Sequence, residues 1–294
     1  MNEPSVKLSV VVLNHNSGTM LVDCLDSLFA EPFPWPVEVI VPDNQSTDES
    51  LGLAEKKWGD RIEVLRNGAN KGFAWGNNIG IHRSSGEYVC LLNPDTIVHP
   101  GAFEEVVRFM DERPRAGFAG PKVLNKDGTF QLSAKRSIPT PMDAVYRAAG
   151  ISKLFPDSKR FARYNVTYLD PDATHQVDAC TGCCMFARRA MLDEIGLLDE
   201  GYFIYCEDVD WFLRAKRAEW EVWYVASAVI EHHHAYSARF RRAQAVRDFH
   251  NSMIRFHKKH FASEYSAPVN LLIYAGVRMR MVMMIAYRTL AGWG

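Results

Sequence analysis

Residues 7–13 are almost continuously apolar, and residues 19–29 then place Leu21, Cys24, Leu25 and Leu28 at helical spacing. A strand buried on both faces therefore feeds an amphipathic helix. The alternation continues with strands over 37–41, 62–65 and 88–92 and helices over 48–58 and 74–84. Such a series predicts an α/β fold: a Rossmann-like central sheet, mixed but mostly parallel, flanked by helices and joined by right-handed crossovers. Ligands of such sheets bind beyond the carboxyl ends of the strands.

Residues 121–175 break the pattern with Pro139, Pro141, Pro156 and Pro171 and no sustained period, which predicts a loop-rich excursion over the site. Regularity returns as a strand-like stretch over 180–188, a helix over 189–195, a helix over 209–218 and strands over 222–225 and 225–230. From residue 238 the pattern is helical and basic to about 261, then apolar and rich in Met after Pro268. The expected organisation is one domain over 1–237, in two halves over 1–120 and 121–237, and a helical C-terminal extension over 238–294.

The 294 residues are 47% hydrophobic and 23% charged, the balance of a folded globular chain. The formal charge of −1 gives no basic footprint for nucleic acid, but it hides an asymmetry. Residues 235–294 carry ten Lys and Arg against Asp248 and Glu264, a net +8, and the remaining residues sum to −9. The first residues lack the charged and apolar regions of a secretory signal, and the six cysteines lack the spacing of a disulfide framework. The expectation is a cytoplasmic protein with reduced thiols. The uncharged run over 265–277 is shorter than the roughly 20 apolar residues of a spanning helix, and Arg278 and Arg280 interrupt it. The extension therefore suits either peripheral contact with the inner face of a membrane or a homodimer interface.

Polar clusters follow the strands. Asp43, in Pro42-Asp43-Asn44-Gln45-Ser46-Thr47-Asp48, can accept from the ring N–H of a pyrimidine, whereas Ser46 and Asp48 suit turn and N-cap chemistry equally well. The stretch from Asn70 to Gly80 holds three glycines that admit close backbone approach, and Lys71 suits a phosphate. It matches neither the dinucleotide fingerprint nor the P-loop. In Asn93-Pro94-Asp95 the carboxylate suits a hard cation such as Mg²⁺ or Mn²⁺ shared with a diphosphate. Glu207, Asp208 and Asp210 open a helix, where the dipole favours them, yet three acids exceed what a cap requires, and one suits a general base. Asp210 and Arg214 suit an i,i+4 pair. Of His232-His233-His234 one imidazole at most suits a metal. Cys180, Cys183 and Cys184 have no second pair at zinc-ligand spacing.

These stretches together resemble the family 2 glycosyltransferases of the GT-A fold, within them the rhamnosyltransferase-like branch. The match is carried in order by residues 9–16, 41–48, 70–80, 92–95, Thr181-Gly182-Cys183-Cys184-Met185, Tyr205-Cys206-Glu207-Asp208-Val209-Asp210, and His232 with Ala235 and Ser237. The resemblance implies inverting transfer, with rhamnose from dTDP-rhamnose as the leading donor, from a nucleotide diphosphate sugar to a saccharide or lipid-diphosphate-saccharide. It also makes 1–237 the catalytic domain, with 1–120 its nucleotide-sugar-binding half and 121–237 its acceptor-binding half. By that resemblance Leu13, Asn14, Asn16 and Asp43 line the nucleoside, and Lys71, Gly72 and Asn78 meet ribose or phosphate. Asp95 and His232 hold the metal, Asp208 is the base, and Glu207 positions the acceptor. Asn93 departs from the usual Asp-x-Asp, and Ala235 stands where glycine is common. A non-catalytic sugar-nucleotide or glycan-binding module on the same fold is the competing reading.

Overall fold

The computed structural model describes residues 5–233 and 242–290. Strands β1 (Leu8–Val12), β2 (Val37–Asp43), β3 (Glu63–Arg66) and β4 (Tyr88–Leu92) alternate with helices α1 (Met20–Leu28), α2 (Ser50–Trp58) and α3 (Phe73–Arg83), as the periodicity predicts. β1 lies in parallel between β2 and β4, and β3 continues beyond β2. The next three elements, β5 (Thr96–Val98), α4 (Ala102–Asp111) and β6 (Ala116–Leu124), were not among the predicted ones. α4 nevertheless buries Phe103, Val106, Val107 and Met110 on one side at three- and four-residue spacing.

The region expected to be mostly loop is only partly so. β6 runs to Leu124 inside the sheet, and short elements follow: β7 (Lys135–Arg136), α5 (Pro141–Ala148), α6 (Ile151–Leu154), β8 (His175–Val177) and β9 (Ala179–Cys180). α5 starts on a capping box, Thr140 and Asp143 each bonding the other's backbone N–H, so Pro141 opens a helix rather than forbidding one. β7 and β9 form a separate two-stranded ribbon.

β10 (Cys184–Arg188) runs antiparallel between β4 and β6, followed by α7 (Arg189–Ile195) and α8 (Glu207–Arg217). The two short strands expected over 222–230 are one strand, β11 (Glu221–His232), parallel to β6. Its last residues fold against β5, pairing His232 with Thr96. The sheet order is β3-β2-β1-β4-β10-β6-β11-β5, with β8 beside β11.

The sheet separates two apolar layers. Leu8, Val10 and Val12 of β1 pack with α1 and α4, while Val11 joins α3, α7 and α8 on the other face. The chain after β11 continues as α9 (Arg242–His260) and α10 (Ala267–Leu290). α9 is anchored to the body through Asp210, which is fully buried and meets Arg214 Nε (2.9 Å), Lys259 Nζ (2.7 Å) and His260 Nε2 (2.6 Å). The expected helix-face pair of Asp210 and Arg214 is thus also the anchor of the extension. The expected boundary between residues 237 and 238 lies outside the described residues, as do His234, Ala235 and Ser237.

Candidate active site

At the carboxyl end of β1 and β2 the chain forms a parallel bridge between Asn14 and Asp43. Asn14 is fully buried, and its Nδ2 donates to Asp43 Oδ1 (2.8 Å), Ser46 Oγ (3.1 Å) and Ser50 Oγ (3.0 Å). Asp43 also accepts from Ser46 N (3.0 Å) and Ser46 Oγ (2.5 Å). A carboxylate offers about four lone-pair sites, so Asp43 keeps capacity for one further donor. Asn16 Oδ1 takes Thr47 N (2.7 Å) and Asp48 N (3.2 Å), and Asp48 takes Gly18 N and Ser50 N. Ser46 and Asp48 thus do the turn chemistry that their sequence permits.

The Asn70–Gly80 stretch closes the other wall. A Cβ on Gly76 would fall 2.5 Å from Leu13 Cδ1, so Leu13 and this helix touch. Gly72 adopts φ +105°, and a Cβ there would meet Phe203 O at 2.3 Å; Phe73 N donates to the same oxygen (2.7 Å). Only glycine fits a backbone crossing this close. Lys71 is exposed, with Nζ 5.1 Å from the Trp75 ring centre. Asn78 Nδ2 donates to Leu198 O (2.9 Å) and Glu200 Oε1 (2.9 Å), and its Oδ1 accepts from Leu198 N (3.1 Å). Both amide donors are therefore engaged, and Asn78 clamps the loop that leads to Phe203.

The pairing of β11 with β5 brings His232 to Asp95, Nε2 to Oδ1 3.3 Å, with His233 N donating to Asp95 O (2.9 Å). Burial works to lower the His232 imidazole, but the Cys183 sulfur and the Asp95 carboxylate outweigh it and hold it up at about 10. Among the described residues no group of three His, Cys, Asp or Glu side chains converges at metal-ligand spacing. A divalent ion sharing phosphate and water could take the place of the His232 proton, with one carboxylate and the neutral imidazole as the protein ligands.

The acidic motif starts α8 behind two strained residues, Tyr205 (φ +70°) and Cys206 (φ +67°). Such non-glycine conformations cost on the order of 1–3 kcal/mol each and persist where the surroundings enforce them. Here α9 supplies part of that enforcement, Ser252 Oγ donating to Ile204 O (2.9 Å). Asp208 is buried, and Arg136 Nη2 donates to its Oδ2 (2.6 Å) and to Cys180 O (2.5 Å). Glu207 beside it is buried with no partner on Oε2, and burial together with the Asp208 charge lifts its carboxyl to about 8. Gly182 packs against Asp208 (an added Cβ would sit 3.3 Å from Oδ2), and the next residue, Cys183, lies against His232. The base candidate and the metal candidates are thereby neighbours on one rim.

Arg136 had no signal in the sequence. It lies in an aperiodic stretch, and only the β7–β9 ribbon carries it to α8. Cys180, Cys183 and Cys184 are buried free thiols, and burial pushes Cys180 up to about 12.

Residues 9–196 match the family model described as Glycosyl transferase family 2. The chain belongs to that family. It is 29% identical over 289 residues, 95% of this chain and 92% of the relative, to the N-acetylglucosaminyl-diphospho-decaprenol L-rhamnosyltransferase of Mycobacterium tuberculosis (strain ATCC 25618 / H37Rv). Among solved structures it is similar to Staphylococcus aureus TarS 1-349 in complex with UDP-GlcNAc (TM-score 0.59, 17% identity, 92% of this chain and 71% of that one). It is also similar to GalNAc-T7 with UDP, GalNAc and Mn²⁺ (TM-score 0.59, 16% identity, 99% and 59%). The architecture is thus the GT-A fold, and the chain is a glycosyltransferase related to a rhamnosyltransferase.

Proposed function

We propose that this glycosyltransferase moves a sugar, with rhamnose from dTDP-rhamnose as the leading donor, onto a hydroxyl of a lipid-diphosphate saccharide with inversion at the anomeric carbon. The observation that carries the reading is the contiguity of the rim: Gly182 leaves room for little more than a Cβ beside Asp208, and the next residue, Cys183, lies against His232, which pairs with Asp95. In-line displacement needs the base and the site for the leaving diphosphate to face each other across a single sugar ring. The near full-length relation to a rhamnosyltransferase named for a lipid-linked GlcNAc acceptor supports the choice of donor and acceptor.

On this reading Asp43, Asn14, Asn16 and Leu13 hold the nucleoside, Asp43 through its remaining acceptor site. Lys71 and the backbone at Gly72 meet the diphosphate, and Asn78 positions the loop above it. Asp95 and His232 would hold a divalent ion, Mg²⁺ or Mn²⁺, which when bound neutralises charge on the departing diphosphate. Asp208 takes the proton of the acceptor hydroxyl as its oxygen attacks, and Arg136 fixes the orientation of that carboxylate. Glu207, uncharged near neutral pH, orients the acceptor. The reaction takes place on the cytoplasmic side.

Incubation with dTDP-rhamnose, Mg²⁺ and a polyprenyl-diphosphate GlcNAc should release dTDP in proportion to a rhamnosylated lipid. Release only with another nucleotide sugar would correct the donor. Tight nucleotide-sugar binding without turnover on any donor and acceptor pair would favour the binding-module reading.

A further inference from the structure

α10 is a 24-residue helix with two unlike faces. One is fastened to α9 in antiparallel order. Asn270 meets His257 (2.7 Å), Tyr274 lies 5.6 Å from the His257 ring, and Arg280 reaches His250 (2.9 Å). These positions fall on the arc shared with Val277, Met281 and Arg288. The opposite half of the helix carries Leu271, Leu272, Met279, Val282, Met283 and Tyr287, each more than half exposed. A strip of this size, about 20 Å or more in length at 1.5 Å per residue, is a surface that water does not favour.

The helix is long and apolar enough to cross a membrane by length and composition alone, and no residue of its most apolar window is fully buried. Crossing is nevertheless opposed by Arg278 and Arg280 at its middle and by the clamps that hold it along α9. The charges around the strip decide between a second copy and a lipid surface. Arg247 and Lys258 are exposed on α9, and Arg278 lies at the margin of the bare face. Arg147 of α5 stands close enough to Arg280 to repel its charge. The acids of the described extension are only Asp248 and Glu264. Pairing two copies through this face would press cationic margins together, whereas acidic headgroups would neutralise them.

We propose that the bare face of α10 lies flat in the surface of an anionic bilayer, with Arg247, Lys258 and Arg278 over the acidic headgroups. This follows from the helix and its charges and does not depend on the donor or acceptor assigned above. α9 also braces Ile204 and Asp210 beside the Asp208 motif, so the docked helix and the acceptor end of the site belong to one rigid run of contacts.

The test is flotation of the full chain with phosphatidylcholine vesicles, with and without phosphatidylglycerol, read alongside gel filtration and nucleotide binding. The wild type should float with the anionic vesicles, and rising salt should weaken this as headgroup attraction is screened. The pair Leu272→Glu and Met279→Glu, at positions more than half exposed, should lower vesicle affinity at least about tenfold with nucleotide binding unchanged. The pair Arg247→Glu and Lys258→Glu should remove the preference for phosphatidylglycerol. The proposal is overturned if the wild type stays in solution with anionic vesicles, or if the Leu272→Glu and Met279→Glu protein floats equally well. It is equally overturned if those substitutions dissociate a dimer, since a second copy then covers the face. Nucleotide binding that survives any of these outcomes leaves the transferase reading standing.

Discussion

Glu207 offers the sharpest quantitative prediction. Its carboxyl is buried with an unpartnered Oε2, and burial and the Asp208 charge hold it at about 8 against an ordinary 4.5. Between those values the unfolded chain releases this proton and the folded chain keeps it, so stability falls as pH rises through the window. Each pH step there costs about 1.4 kcal/mol. By pH 7 the penalty is on the order of 3 kcal/mol, and above pH 8 it approaches roughly 5 kcal/mol. Glu207→Gln has the same shape and no titration, so it should match the wild type near pH 4.5 and exceed it by about 3 kcal/mol at pH 7. For a chain of this size that is a rise in Tm of roughly 6 °C. Urea unfolding of both proteins from pH 5 to 8.5 measures the difference. The same variant should turn over more slowly, since Gln presents N–H groups where the acceptor hydroxyl meets a carboxyl; a gain in stability at the expense of activity is expected at functional positions. Parallel stability curves across the pH range would refute the buried, protonated Glu207.

Other perturbations separate the parts of the site. Asp208→Asn should lower transfer by about 10²–10⁴ while dTDP binding, read by calorimetry, stays within about twofold of wild type; equal loss of both would remove Asp208 as the base. Asp210→Ala leaves Arg214, Lys259 and His260 facing an empty site and should destabilise by about 3 kcal/mol in urea, while a change below about 1 kcal/mol would mean α9 is held elsewhere. Gly72→Ala forces a Cβ onto Phe203 O and should weaken nucleotide binding about tenfold through the displaced loop, which titration calorimetry would detect; unchanged affinity would show that the loop yields freely.

The sequence by itself determined the layered α/β plan, because strands buried on both faces and amphipathic helices leave period signatures that depend only on neighbours along the chain. It also marks the strand ends, and with them Asn14, Asp43 and Asp95, since short polar runs after apolar strands stand out locally, and it marks Asp208 as one of three acids opening a helix. It did not mark β5 or β6, and it divided β11 in two, because the bend that seats His232 on Asp95 is set by pairing with β5 and leaves no period of its own. Arg136 is bound to Asp208 through a ribbon that joins residues about forty positions apart, which no local pattern records. The hydrogen bonds of Asn78 to a loop 120 residues later likewise leave no mark in its own neighbourhood of the sequence. The C-terminal helix makes the same point for a surface. The sequence shows a segment that is apolar and rich in Met, and only packing against α9 decides which half is covered, with Arg280 drawn to His250 and Leu272, Met279 and Tyr287 left bare. Local periodicity fixes what each element is, whereas contacts between elements far apart in the chain decide which of its groups remain free to act.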